Sequence, residues 1–95
     1  MPEMRFHIRW PDGREESCYS PSTIVAEHLA AGTDYPLADF VARATAALDA
    51  ASERVRARFG MGCAQAMNQA AAIRRAAREF ADWPGATVRV ERFEP

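Results

Sequence analysis

The chain has 95 residues, of which 48% are hydrophobic and 26% are charged. This composition fits one globular domain over residues 1–95 and excludes a disordered tail. The formal net charge of −1 argues against nucleic acid or an anionic membrane as a partner. No apolar run approaches the roughly 20 residues of a membrane span. Two cysteines are too few for a disulfide scaffold, so we predict a cytoplasmic protein.

A β-hairpin is predicted at the start of the chain, over residues 3–20. Apolar and polar side chains alternate over residues 4–10, which is the period of a half-buried strand. The sequence Pro-Asp-Gly at 11–13 is typical of a type I turn whose glycine takes a positive φ. A turn of this kind pairs Trp10 with Arg14 and thereby sets the register of the hairpin.

The register predicts which hairpin side chains face the core. Counting back from the turn places Phe6 opposite Cys18 on the inner face, and Arg9 opposite Glu15 on the outer face. The opposite charges of the second pair support this register. Glu16 falls on the apolar face and does not fit it, unless the second strand lies at the edge of the sheet.

Three helices are predicted after the hairpin. Ser20 is the expected N-cap of a short first helix that ends near Gly32. The second helix is expected over residues 33–59 and the third over residues 62–83, because apolar residues recur there at intervals of three and four. The inner stripe of the second helix runs from Phe40 to Phe59, so Phe59 is expected to face the core. Both inner stripes are rich in alanine, so the two long helices should pack closely as an antiparallel pair.

A last strand is predicted over residues 86–93. The resulting fold class is α+β in the order ββαααβ, with a small, mainly antiparallel sheet, the first strand central, and the helices packed on one face. The other face of the sheet is expected to be open and polar. We predict it as an interaction surface formed by four basic side chains: Arg5, His7, Arg9 and Arg89.

The cysteines and histidines are the side chains with the most obvious chemistry. Zinc sites bring ligands in close pairs, whereas Cys18, Cys63, His7 and His28 are scattered, so no metal and no cofactor are expected. Both cysteines are predicted to be buried core residues with free thiols. Cys18, Tyr19 and His28 remain weak candidates for a ligand-binding or nucleophilic site.

The arginines fall into two further groups at the ends of the long helices. One group lies within residues 54–58 and the other within residues 74–78. Cations near helix C-termini complement the helix macrodipole. In an antiparallel helix pair the two groups lie at opposite ends, so they should not form one nucleic-acid-binding patch.

Three stretches together resemble a known family: Phe6–Gly13, Cys18–Ile24 and Ala51–Cys63. The chain is similar to short bacterial nitrogen starvation response proteins. Members of that family are encoded in gene clusters around a nitrilase, beside a radical S-adenosylmethionine protein, an acyltransferase-like protein and a flavoprotein. The resemblance implies a cytoplasmic protein made when nitrogen is scarce and connected with nitrile or cyanide use. It implies no activity and no functional residue.

Three functions follow as hypotheses. The first is an accessory or interaction protein for an enzyme of such a gene cluster, since an exposed sheet edge is available for pairing. The second is a small-molecule binder or regulator that responds to nitrogen status. The third is a small enzyme using Cys18, Tyr19 or His28. We also predict a homodimer through the sheet edge or its open face, with Arg5 or Arg9 at the contact.

Overall fold

A four-stranded antiparallel sheet forms one layer of the computed structural model, which describes residues 3–95. The strands are β1 Met4–Arg9, β2 Glu15–Ser20, β3 Thr33–Pro36 and β4 Thr87–Glu94. They lie side by side in the order β2-β1-β4-β3, so β1 is central and β2 and β3 are the edges. This confirms the α+β class and the central position of the first strand.

The helices form the second layer, against the inner face of the sheet. Their bounds are α1 Val25–His28, α2 Leu37–Phe59 and α3 Ala64–Ala77, followed by a 3-10 turn at Arg78–Phe80. Within residues 3–95 the order of elements is therefore ββαβααβ. The predicted order ββαααβ lacked one strand.

The hairpin register is confirmed pair by pair. Phe6 lies opposite Cys18 and Arg9 lies opposite Glu15. The backbone N–H of Trp10 donates a 2.8 Å hydrogen bond to the carbonyl of Arg14, which closes the turn where the sequence places it. The inward side chains of β1 are buried in the core while its outward ones remain partly or fully exposed.

The additional strand β3 occupies residues that were predicted to begin the second helix. Its pairing with β4 places Tyr35 opposite Val88, and the backbone N–H of Gly32 donates to the carbonyl of Val90 at 2.7 Å. Tyr35 is buried, and its hydroxyl accepts a 2.8 Å hydrogen bond from the backbone N–H of Ala30. Partners from the far end of the chain thus hold this segment extended, although its own sequence resembles a helix start.

Two other helix bounds differ from those predicted. Ser20 does not cap a helix. Its hydroxyl donates a hydrogen bond to the carbonyl of Ser22 at 2.7 Å and accepts one from the backbone N–H of Ser22 at 3.3 Å. The first helix consequently begins only at Val25. The third helix ends at Ala77 and tightens into the 3-10 turn, whereas α2 ends at Phe59 as predicted.

An aromatic cluster joins the two layers. The ring of Trp10 meets Phe40 of α2 edge to face and stacks on Phe80, with 5.9 Å between centroids in each pair. Phe80 in turn meets Trp83 edge to face at 5.0 Å. Geometries of this kind add to the hydrophobic stabilisation that burial supplies.

Candidate functional site

The open face of the sheet carries the four basic side chains predicted there. Arg9 lies among them and makes two ion pairs, each at 3.0 Å, with Glu15 and Glu91. The hydrogen bond to Glu91 and the charge of Glu15 raise the pKa of Arg9 above its ordinary value. The charge of Arg9 is therefore balanced within the chain.

The remaining open-face residues differ in their pairing. Arg89 bonds to Asp34 at 3.3 Å, and Nε2 of His7 lies 2.8 Å from Glu94. Arg5 forms no ion pair within residues 3–95. Arg5 therefore keeps a cationic group free for a ligand or a partner.

A polar groove of about 370 Å³ lies between Arg5 and helix α3. The Arg5 guanidinium lies over the ring of Tyr19, 6.0 Å from its centroid. The facing wall comes from one side of α3, because residues spaced by three and four lie on the same face of a helix. The lining residues are Arg5, Tyr19, Gln65, Asn68, Gln69 and Ala72.

One side-chain amide ties α3 to the edge strand β2. The backbone N–H of Tyr19 donates a 2.9 Å hydrogen bond to Oε1 of Gln69. An edge strand presents unpaired backbone groups that other chains can use for pairing, and Gln69 satisfies one of them. Oε1 accepts this bond, and the NH₂ group of Gln69 remains available to donate a hydrogen bond in the groove.

The hydroxyl of Tyr19, at this groove, has a raised pKa. Burial raises its pKa most, and the neighbouring Cys63 thiol and the charge of Glu3 raise it further, while Arg5 lowers it. A raised pKa keeps the hydroxyl protonated. The structure thus brings Tyr19, Arg5 and Cys63 together, a combination that the sequence did not indicate.

The other candidate side chains are not joined to this groove. Cys18 is fully buried beneath the sheet, and burial raises the pKa of its thiol far above the usual range. His28 is half-buried in the last turn of α1, and no hydrogen bond joins it to Cys18 within residues 3–95. A thiol that stays protonated is a poor nucleophile, so this environment opposes a catalytic role for Cys18. Cys63 was predicted to be buried but is only partly so.

Two kinds of functional feature do not occur in the described part of the chain. Across residues 3–95, no three His, Cys, Asp or Glu side chains come together in a way that would hold a metal ion. In the same range, no helix combines the length and the apolar character that crossing a bilayer requires.

The turn between α2 and α3 exposes large apolar side chains. Phe59 is 66% exposed and Met61 is 76% exposed, although the helical stripe predicted that Phe59 faces the core. The backbone N–H of Cys63 donates a 2.9 Å hydrogen bond to Oγ of Ser52, so residues 53–62 form a projection beyond this bond. We call residues 53–62 the tip.

The last two turns of α2 lie outside the packed core. Seven residues of helix follow Ser52, a length of about 10 Å, and none of them is fully buried. The chain returns close to Ser52 at Gly62, where a Cβ atom would lie 2.9 Å from the serine Oγ. Glycine at this position therefore permits the close approach that closes the tip.

A second, apolar groove lies at the other end of the helix pair. Its volume is about 500 Å³. The lining residues are Leu37, Ala38, Val41, Ala42, Arg74, Ala77, Arg78 and Ala81. The two arginine groups thus lie at opposite ends of the helix pair, one at this groove and one at the tip.

The architecture is that of a small α+β domain with helices on one face of an antiparallel sheet. A family model described as nitrogen starvation-induced protein NitG matches residues 5–93, and the chain therefore belongs to that family. No curated protein and no solved structure shows significant similarity to the chain.

Proposed function

We propose that this nitrogen starvation-induced protein is an accessory protein that binds an enzyme encoded in the same nitrilase-type gene cluster in the bacterial cytoplasm. The observation that carries the proposal is the exposure of Phe59 and Met61 at the tip. Aromatic residues and methionine are enriched in protein interfaces, and a few such side chains supply most of the binding free energy.

The charges around the tip favour a partner surface with carboxylates beside an apolar pocket. Arg54 and Arg58 form no ion pair in the described residues, whereas Arg56 is held by Glu53 at 2.7 Å. The guanidinium of Arg58 lies 5.9 Å from the centroid of the Phe59 ring. A partner that receives Phe59 would therefore meet a cationic group directly beside it.

Crosslinking in living cells tests this proposal. A photo-crosslinking amino acid is placed at Met61 of the full chain, in nitrogen-starved cells, and the adducts are identified by mass spectrometry. The matched control carries the same group at Met67, which is 40% exposed on α3 outside the tip. An adduct with an enzyme of the gene cluster at position 61 alone supports the proposal. Equal adducts at both positions, lipid adducts, or no adduct would overturn it.

A second candidate function is a small-molecule binder or regulator that responds to nitrogen status. The groove beside Tyr19 favours it, because an unpaired guanidinium and side-chain amides converge there. The crosslinking experiment also distinguishes the accessory protein from the small-molecule regulator, because a small-molecule regulator does not require a protein adduct at Met61.

A further inference from the structure

The groove between Arg5 and α3 shares no lining residue with the tip. Its lining contains one charged side chain, the Arg5 guanidinium, and no carboxylate. Arg5 has no ion-pair partner within residues 3–95, although it lies directly opposite Glu94 in the sheet. The guanidinium therefore has no carboxylate within ion-pair distance in these residues, although Glu3 and Glu94 line a neighbouring pocket together with it.

Two of the lining residues, Arg5 and Gln69, can direct hydrogen-bond donors at the same ligand group. A guanidinium carries only donors, in a planar fork that matches a carboxylate. Gln69 is fixed by the bond from the Tyr19 backbone N–H to its oxygen, so it offers its NH₂ group. A bound carboxylate would accept from both residues.

The far part of the groove is uncharged and polar. Gln65 and Asn68 lie one turn of α3 apart and line it with their amides, and Ala72 leaves space beside them. Amide groups both donate and accept hydrogen bonds, so they match an uncharged polar group such as another amide. A volume of about 370 Å³ lies within the range of roughly 300–1,000 Å³ typical of small-molecule sites.

We propose that this groove binds a small monocarboxylate that carries an uncharged polar group. The carboxylate pairs with Arg5 and the NH₂ group of Gln69, and the polar group contacts Gln65 and Asn68. A phosphate dianion fits less well, because the lining supplies only one positive charge. The Tyr19 ring forms the wall against which Arg5 is held.

Nuclear magnetic resonance titration of the full-length protein tests the proposal. The probe is succinamate, which has one carboxylate and one amide, and the matched control is succinamide, in which a second amide replaces the carboxylate. We expect saturable shifts of the Gln69 side-chain amide and the Tyr19 backbone amide with succinamate only. Equal shifts with succinamide, stronger binding of inorganic phosphate, or no shift at millimolar succinamate would overturn the proposal.

Two variants and one control assign the site. Arg5→Gln should weaken succinamate binding by about tenfold or more, because it removes a charge-assisted hydrogen bond. Gln69→Glu keeps an acceptor for the Tyr19 N–H but adds a repelling charge, so it should abolish binding. Arg92→Gln removes the same charge from the open face outside the groove and should leave binding unchanged. Equal effects of Arg5→Gln and Arg92→Gln on succinamate binding would contradict the assignment of this site to the groove. That result does not depend on whether a protein partner binds the tip.

Discussion

The indole N–H of Trp10 donates a 2.8 Å hydrogen bond to Oε1 of Glu16. Trp10 is 1% exposed, so this carboxylate satisfies a donor that water cannot reach. Glu16 therefore belongs on the inner face of the hairpin, where the sequence pattern made it look misplaced. Its strand does lie at the sheet edge, which lets the half-buried carboxylate remain partly hydrated.

Replacing Glu16 with leucine should destabilise the protein despite adding an apolar side chain at the core. The Trp10 N–H would lose its acceptor, and an unsatisfied buried donor costs about 1–3 kcal/mol. Urea denaturation measures the change in the free energy of unfolding. Glu16→Gln keeps a carbonyl acceptor and serves as the control. Equal stability of the two variants would show that the hydrogen bond contributes nothing.

Strand β3 was not predicted, whereas the hairpin was. The hairpin register could be predicted because a local turn fixes it, and it is confirmed at Phe6–Cys18 and Arg9–Glu15. Thr33–Pro36 forms a strand because β4, more than fifty residues away, supplies its partners. The sequence around Thr33 does not show that pairing, so the prediction of a helix from Thr33 was wrong.

In the candidate sites, too, local patterns could be predicted from the sequence and long-range contacts could not. The sequence placed Arg5, Arg9 and Arg89 on one face correctly, since alternation along a strand is local. It missed the contact between Gln69 and Tyr19, which joins residues 50 positions apart. The spacing of Gln65, Asn68 and Gln69 was the available signal for the amide wall. Phe59 continued the apolar stripe of its helix, but the sequence does not show where the sheet beneath that helix ends.

Gly13 should tolerate asparagine better than valine. It closes the hairpin turn at φ 90°, a conformation that β-branched residues resist and asparagine adopts more readily. We expect Gly13→Val to lower the free energy of unfolding by more than about 1 kcal/mol, measured by urea denaturation. A smaller loss than that of Gly13→Asn would contradict this explanation of the turn.

The two thiols should label at very different rates. Burial raises the pKa of Cys18 well above its ordinary value, so at pH 8 the thiol is protonated as well as shielded, and only thiolates alkylate readily. Cys63 is partly exposed. Mass spectrometry after iodoacetamide treatment should show fast modification of Cys63 and modification of Cys18 only after unfolding. Rapid labelling of Cys18 in the native protein would contradict its placement in the core.

Self-association through the open face stays a prediction. Pairing through an edge is restricted, because Gln69 occupies a backbone group of β2 and the short strand β3 ends at Pro36. We expect a homodimer in sedimentation at micromolar concentration, which Arg5→Glu with Arg9→Glu dissociates. The control Arg54→Glu with Arg58→Glu makes the same charge change at the tip. A 10.5 kDa species in the unmodified protein would reject the dimer.

The most direct test of the accessory role is the affinity of the crosslinked partner for the tip. Titration calorimetry compares the unmodified protein, the double variant Phe59→Ser with Met61→Ser, and Met67→Ser as the control. Loss of two interface anchors should weaken binding about thirtyfold or more, while the control should bind like the unmodified protein. Unchanged affinity of the double variant would contradict the claim that this protein acts by binding a partner through the tip.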